Sequence, residues 1–260
     1  MNVLRTRFCE LFDLQAPILQ AAIWPATAPE LLAPVSNAGG LGSVGAVFGR
    51  ADHVRGQIER VRQLTDRPFV VNHVVPLLDH EAFEATLEAR PAAISFALGN
   101  PGGLVERVRS AGAKAIHQVH TVGQGREAAE LGVDVIIAQG SEAGGQGMAA
   151  GVGALALVPE VADAVAPIPV LAAGGVADGR GLAAALTLGA AGANVGTRFL
   201  APQEAGGGRG VEAADPGDRL RAGRSLRGVE RDAAPEPDRL RRRAARDPDR
   251  VRLRVAGPAR

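Results

Sequence analysis

Two glycine-bearing segments carry the first chemistry legible in this sequence. Ala172-Ala173-Gly174-Gly175-Val176 and Asn194-Val195-Gly196-Thr197-Arg198-Phe199 each close an apolar run. Glycine leaves backbone N–H groups bare, so paired segments of this kind can hold a phosphate, and a following helix N-terminus adds a favourable dipole. Tight turns alone would also use glycine, but two such segments at successive strand ends favour the phosphate. A third stretch runs from Ala138 to Gly147 and contains Gln139, Gly140, Glu142, Ala143, Gly144, Gly145 and Gln146. It can lie flat against a planar ligand, because Gly144 and Gly145 offer no side chain. Glu142 is either a general base or an ordinary surface carboxylate. Gln146 exchanges hydrogen bonds but takes no proton near neutral pH. Other run ends supply Ala21-Ala22-Ile23, Asn72-His73, and His117, Gln118 and His120. Asn72 and Gln118 are amides able to read the polar edge of a ring. His73 and His120 have the right chemistry for acid/base work, although a structural role is the commoner fate of a lone histidine. Side chains alternate along a strand, so at most one of Asn72 and His73 faces a common site, and Gln118 faces away from His117 and Val119.

These residues need a scaffold that gathers run ends at one place. Apolar runs bounded by Gly or Pro occur at residues 17–23, 40–46, 69–75, 92–99, 114–120, 134–140, 169–175 and 192–200. Several are rich in Val and Ile, as buried parallel strands require. Amphipathic stretches at 27–38, 52–64, 80–90, 102–111, 121–131, 159–166 and 178–188 separate them, four ending at Gly39, Gly112, Gly132 or Gly189. Eight strands joined by helices favour a closed (β/α)8 barrel over an open doubly wound sheet, with chemistry at the C-terminal ends of the strands.

The chain has 260 residues and a formal net charge of +1, but that average hides a break. Residues 1–200 carry 14 Lys+Arg against 18 Asp+Glu, and residues 201–260 carry 15 against 10. All seven Phe and the single Trp precede residue 200. The organisation expected is a barrel over 1–204 and an atypical tail over 205–260 whose Arg, Ala, Gly, Asp and Pro content fits disorder. The run 239–246 is basic, but flanking acids dilute its field, so no nucleic-acid partner is expected. With 28 Arg and one Lys, the gene reads as GC-rich, and the tail is consistent with a frame shift near residue 205. A lone Cys9 excludes a disulfide framework and a cysteine zinc site, and no histidine set has metal-ligand spacing. Glu10 and Asp13 interrupt any signal peptide. The uncharged run at residues 143–159 is too Gly-rich for a membrane span, so a cytoplasmic protein with no membrane partner is expected.

Pro17-Ile18-Leu19-Gln20-Ala21-Ala22, Val35 to Ser43, Ala138 to Gly145, Pro169 to Val176 and Gly196 to Leu200 jointly resemble the nitronate monooxygenases, formerly called 2-nitropropane dioxygenases, from about residue 4 to 205. The resemblance implies a TIM barrel binding FMN without covalent attachment. It places Ala21, Ala22 and Ile23 against the flavin, Asn72 and Gln118 at its ring or ribityl chain, and Gln139, Gly140, Ala143, Gly144 and Gly145 beside the isoalloxazine. Gly174, Gly175, Gly196 and Thr197 would hold the phosphate. The implied activity is oxidation of a nitronate by O2 to a carbonyl compound and nitrite, with Gln146 and His120 as the polar residues to test. Family members usually carry His at the position of Gln146, where it removes the α-proton of a neutral nitroalkane; a preformed nitronate needs no such base. The family also continues past the eighth strand with a small helical domain and a last helix, which the tail does not resemble. A flavin reductase using NAD(P)H on a quinone or enoyl thioester is the first alternative, and an inactive or non-catalytic flavin-binding product is the second. The substrate and the oligomeric state are not legible.

Overall fold

The computed structural model describes residues 5–24, 26–46, 50–145 and 151–205. Eight strands form one parallel sheet: β1 (Ile18–Gln20), β2 (Gly42–Gly45), β3 (Phe69–Val74), β4 (Ala93–Ala97), β5 (Lys114–Val119), β6 (Val135–Gln139), β7 (Val170–Ala173) and β8 (Gly192–Val195). They neighbour one another in chain order from β2 to β8, and β8 pairs in parallel with β1. The ring closes through Leu41, which precedes β2. Its N–H donates to the Ile18 carbonyl at 2.9 Å, and its own carbonyl accepts from Gln20 N–H at 2.9 Å. The sheet is therefore a nearly closed α/β barrel.

Helices lie between successive strands: α2 (Pro29–Asn37), α3 (Ala51–Leu64), α4 (His80–Ala89), α5 (Leu104–Ser110), α6 (Val122–Glu130), α7 (Ala154–Val165) and α8 (Gly179–Thr187). The amphipathic pattern shows in α3, where Val54, Ile58 and Val61 are buried while its charged residues face out. Burying side chains of that size stabilises the fold by roughly 1.5–3 kcal/mol each. In three of these seven helices the residue just before the first turn caps it with its side chain. Asp79 accepts from Ala82 N–H in α4, Thr121 from Gln124 N–H in α6, and Asp178 from Arg180 and Gly181 N–H in α8.

Alternation along the strands divides the core in two. Leu19, Val70, Ala93, Ile116, Val135, Ile137, Leu171 and Ala173 face inward as one cluster. Ile94, Phe96, Ala115, Val119, Ile136, Ala138, Val170 and Ala172 face outward against the helices. A short helix unmarked by any sequence period, α1 (Arg7–Phe12), contributes Phe8, Cys9 and Phe12 to the inner cluster. Thr6 holds it there by donating to the Ala191 carbonyl at 2.6 Å.

Two elements differ from the sequence-based expectation. Helix α7 begins at Ala154 rather than at Pro159, which lies inside it. Proline is favoured in the first turn of a helix, and that preference is overridden here by the Glu142 carboxylate, which accepts from Ala154 N–H. The run 192–200 is a strand only to Val195, and Thr197–Leu200 turns into a 3-10 helix. The tail beyond residue 205, with the domain division and frame shift expected there, lies outside the described residues.

Candidate functional site at the barrel mouth

The C-terminal strand ends converge on a mouth lined chiefly by amides and backbone. On β3 the alternation resolves in one direction. Asn72 faces inward, in register with Ser95 of β4, and its amide donates to Ser95 Oγ at 2.8 Å. His73 faces the helices instead, 2 % exposed and edge-on to Phe83. The Thr86 hydroxyl donates to the Ala82 carbonyl, so it accepts from His73 Nε2–H at 3.0 Å. Burial pushes the His73 imidazole down to about 4, with Asp79 partly opposing the shift. His73 is thus a neutral wall residue rather than an acid/base group.

On β5, Gln118 faces inward in register with Ile137, while His117 points outward with Nδ1 3.2 Å from the Phe96 carbonyl. His120 follows the strand and is 8 % exposed. Its ring bonds the backbone of Gln139, and its Nε2 is buried with no partner. Burial lowers its pKa, which the Gln139 bond partly opposes, so the ring is neutral at pH 7. A cavity of about 180 Å3 adjoins this strand end, lined by His117, His120, Gln124 and Glu127 among others.

Gln139 closes β6 facing inward, and its amide donates to the Gly144 carbonyl at 3.2 Å, folding residues 140–145 back over the strand end. Gly140 N–H donates to the Ala173 carbonyl at 2.9 Å, and Ala143 N–H to the Gly140 carbonyl at 3.1 Å. Gly145 has φ +79°, a conformation that favours glycine. Both oxygens of Glu142 accept from Ala154 N–H, at 3.0 and 3.2 Å. The carboxylate is a helix cap in this arrangement, not a base. Gln146 lies outside the described residues.

Across the mouth, Gly174 and Gly175 adopt φ +121° and +68°. Their N–H groups, and that of Gly196, donate to no other backbone group among the described residues. Thr197 opens the 3-10 turn and is exposed. Helix α8 does not offer a free N-terminus as the sequence suggested. Asp178 accepts from Arg180 and Gly181 N–H at 2.9 and 3.4 Å, and the hydrogen bond from the Arg180 side chain, with these two, holds its carboxyl down to about 2. On the other side, Ala21 N–H donates to the Val195 carbonyl at 2.9 Å, and the Thr27 hydroxyl pins the Ile23 backbone. A methyl group on Gly196 would come within 3.6 Å of Ile23 Cδ1 and 3.9 Å of Ala21 Cβ, so the β1 and β8 ends share one hollow.

The structure thus brings together Ala21, Ile23, Asn72, Gln118, Gln139, Gly174, Gly175 and Gly196 at one end of the barrel, with Ala22 in the same loop. Two further residues belong with them. Ser95 anchors Asn72, and Asn194 on β8 pairs in register with inward-facing Leu19 and keeps its buried Oδ1 without a partner. Counting alternate residues along 192–196 points to Asn194. Among the described residues, the exposed large apolar side chains Trp24, Leu77, Val152 and Leu155 all follow strands β1, β3 or β6 in the chain. Among the described residues no cluster of three or more His, Cys, Asp or Glu is poised for a metal. Orphaned buried polar atoms, bare N–H groups and a glycine hollow fit an organic ligand with a phosphate and a polar-edged ring.

Comparison with known proteins agrees with this geometry. The family model for nitronate monooxygenase matches residues 5–87 and 78–214. A probable nitronate monooxygenase of Staphylococcus saprophyticus is 34% identical over 78% of this chain and 70% of its own. An octahydroindene carboxyl-CoA dehydrogenase of Rhodococcus jostii is 38% identical over 78% of this chain, but this chain spans only 57% of it. Among solved structures, FabK from Thermotoga maritima superposes with a TM-score of 0.74 at 38% identity, covering 77% of this chain and 64% of that one. A nitroalkane oxidase from Streptomyces ansochromogenes gives 0.73 at 33% identity, covering 78% and 70%. Matched over most of its length in sequence and in barrel geometry, the chain belongs to the nitronate monooxygenase family of flavin-dependent oxidoreductases.

Proposed function

We propose that the chain binds FMN at the barrel mouth and oxidises nitronates, with O2 as the electron acceptor, to a carbonyl compound and nitrite. The observation that carries this reading is the neutrality of the mouth. Its inward-facing polar side chains among the described residues are Asn72, Ser95, Gln118, Gln139 and Asn194, and its one imidazole, His120, is neutral with Nε2 shielded. A site without an accessible base suits a substrate that arrives already deprotonated. FMN, when bound, supplies the redox chemistry that such side chains lack.

The residues then divide the work by position. Gly174, Gly175, Gly196 and Thr197 hold the phosphate through backbone N–H and hydroxyl donors. Ala21, Ala22 and Ile23 present a smooth, half-buried wall to the ring. Asn72 and Gln118 meet its polar edge or side chain, and Gln139, Gly140 and Ala143–Gly145 form the opposite side. The Asn72 and Gln118 amides donate toward negative charge, a stabilisation worth more in a water-poor site than in bulk. Gln146 is the residue proposed to contact substrate, and His120, its Nε2 shielded, is proposed to support Gln139 through the hydrogen bond to its backbone. The family and the absence of a membrane-length apolar helix among the described residues are compatible with small-molecule chemistry in water.

The decisive experiment is anaerobic titration of the FMN-loaded chain with propyl nitronate, followed by oxygen. Bleaching of the yellow colour, its return with O2, and one nitrite per turnover are expected. Bleaching by NADH or NADPH without nitronate, coupled to an acyl thioester or a quinone, would replace this reading with the second one. That alternative draws on the 38% identity to FabK and to the carboxyl-CoA dehydrogenase, which exceeds the identity to the nitronate and nitroalkane enzymes compared above. Gln146→His restores a base at the family's position, and activity on neutral nitroethane should rise at least tenfold; no rise would show that residue 146 does not reach the substrate carbon.

A further inference from the structure

Glu142 is the carboxylate that the proposed chemistry does not use, yet three pieces of the mouth meet on it. Its oxygens accept from Ala154 N–H at 3.0 and 3.2 Å, fastening the loop after β6 to the first turn of α7. Its stem lies over the β7 end: a methyl group on Gly174 would come within 3.0 Å of Glu142 Cδ and 3.1 Å of Oε1. A methyl group on Gly140 would overlap both Ala154 N and Glu142 Oε2. Glycine at 140 leaves room for both the Ala154 backbone and the glutamate, and Gly174, whose φ of +121° itself favours glycine, leaves room for the glutamate stem. From the strand side, Gln139 fastens the same loop by its bond to the Gly144 carbonyl. Residues 140–145 are therefore held between two side chains, one reaching up from β6 and one reaching across to α7.

We propose that Glu142 is a positioning residue: a clasp that fixes the 140–145 backbone and the Gly174 backbone in mutual register, so that the ring side and the phosphate side of the mouth are preformed together. The statement about the two sides rests on the FMN reading above; the clasp itself does not. Clasping needs an acceptor at the length of a glutamate side chain. Glutamine retains that acceptor and length, alanine loses both, and aspartate is one methylene short.

Hydrogen exchange of the ligand-free chain, read by mass spectrometry on wild type, Glu142→Ala and Glu142→Gln, tests the clasp. Amides of Gly140, Ser141 and Ala143, bonded to Ala173, Val152 and Gly140 carbonyls respectively, report on the loop. In Glu142→Ala, exchange across 140–145 and 172–176 should accelerate at least tenfold, and Glu142→Gln should restore it to within about threefold of wild type. Acceleration confined to 154–157 would make Glu142 a helix cap only and would overturn the proposal, as would a glutamine variant that behaves like alanine. The second readout is FMN affinity by flavin fluorescence, where Glu142→Ala should bind at least tenfold more weakly and Glu142→Gln within threefold. Unchanged FMN affinity in Glu142→Ala would also overturn it. If the wild-type chain bound no FMN at all, the functional reading would fail, and the exchange data would still decide for or against the clasp.

Discussion

His73 illustrates how a single residue can look catalytic in sequence and be structural in the fold. It stands beside Asn72 at a strand end, but alternation turns it into the helix layer, where the Thr86 hydroxyl accepts a hydrogen bond from its Nε2–H and Phe83 packs edge-on against it. Burial of a neutral imidazole has a consequence for acid stability. Its folded-state pKa, about 4, lies below the ordinary 6.5. The unfolded chain therefore takes up a proton first, and stability present above pH 6.5 is lost as the pH falls toward 4. At 1.36 kcal/mol per unit, roughly 2 kcal/mol should go between pH 6.5 and 5. Burial lowers His117 and His120 in the same direction and should add to the loss. Urea titrations across this window should show that decline, and His73→Gln, which cannot titrate, should remove about 2 kcal/mol of it. An equal decline in both proteins would show that His73 is protonated in the folded state.

At the scale of elements, glycine positions separate packing from propensity. Gly192 opens β8 at the seam with β1, and a methyl group there would overlap the Pro17 carbonyl oxygen, which accepts from Ala193 N–H at 2.9 Å. Backbone cannot swing aside as a side chain can, so Gly192→Ala should cost about 1–3 kcal/mol. For a fold of this size the melting temperature should drop by roughly 2–4 °C per kcal/mol. Gly56 offers the contrast. It sits within α3 with no heavy atom within 4 Å of an added methyl group. Gly56→Ala should therefore raise stability by about 0.5–1 kcal/mol through helix propensity. A differential scan of the two variants checks both signs at once. The start of α7 belongs at this scale too. Local preference points to Pro159, but a hydrogen bond from Ala154 to a residue twelve positions earlier moves the start back by more than a turn.

For the whole molecule, the mouth is assembled from at least six strand ends, so a ligand spanning it links distant parts of the chain. Binding only the folded state stabilises by about 2.7 kcal/mol at a hundredfold excess over Kd, which corresponds to roughly 5–10 °C for a domain of this length. FMN should give a shift of that order in thermal unfolding, and riboflavin, lacking the phosphate, a much smaller one. Equal shifts would remove Gly174, Gly175 and Gly196 from the binding surface. Much of this architecture was legible in one dimension. Eight bounded apolar runs announce eight strands, and a period of two sets His73 apart from Asn72 and His117 apart from Gln118, because strand geometry is local and repeats along the chain. The helix α1, the start of α7 and the reach of Glu142 to Ala154 and Gly174 were decided only by the closed barrel. Each depends on groups far apart in sequence being brought within hydrogen-bond distance, and no local period encodes that distance.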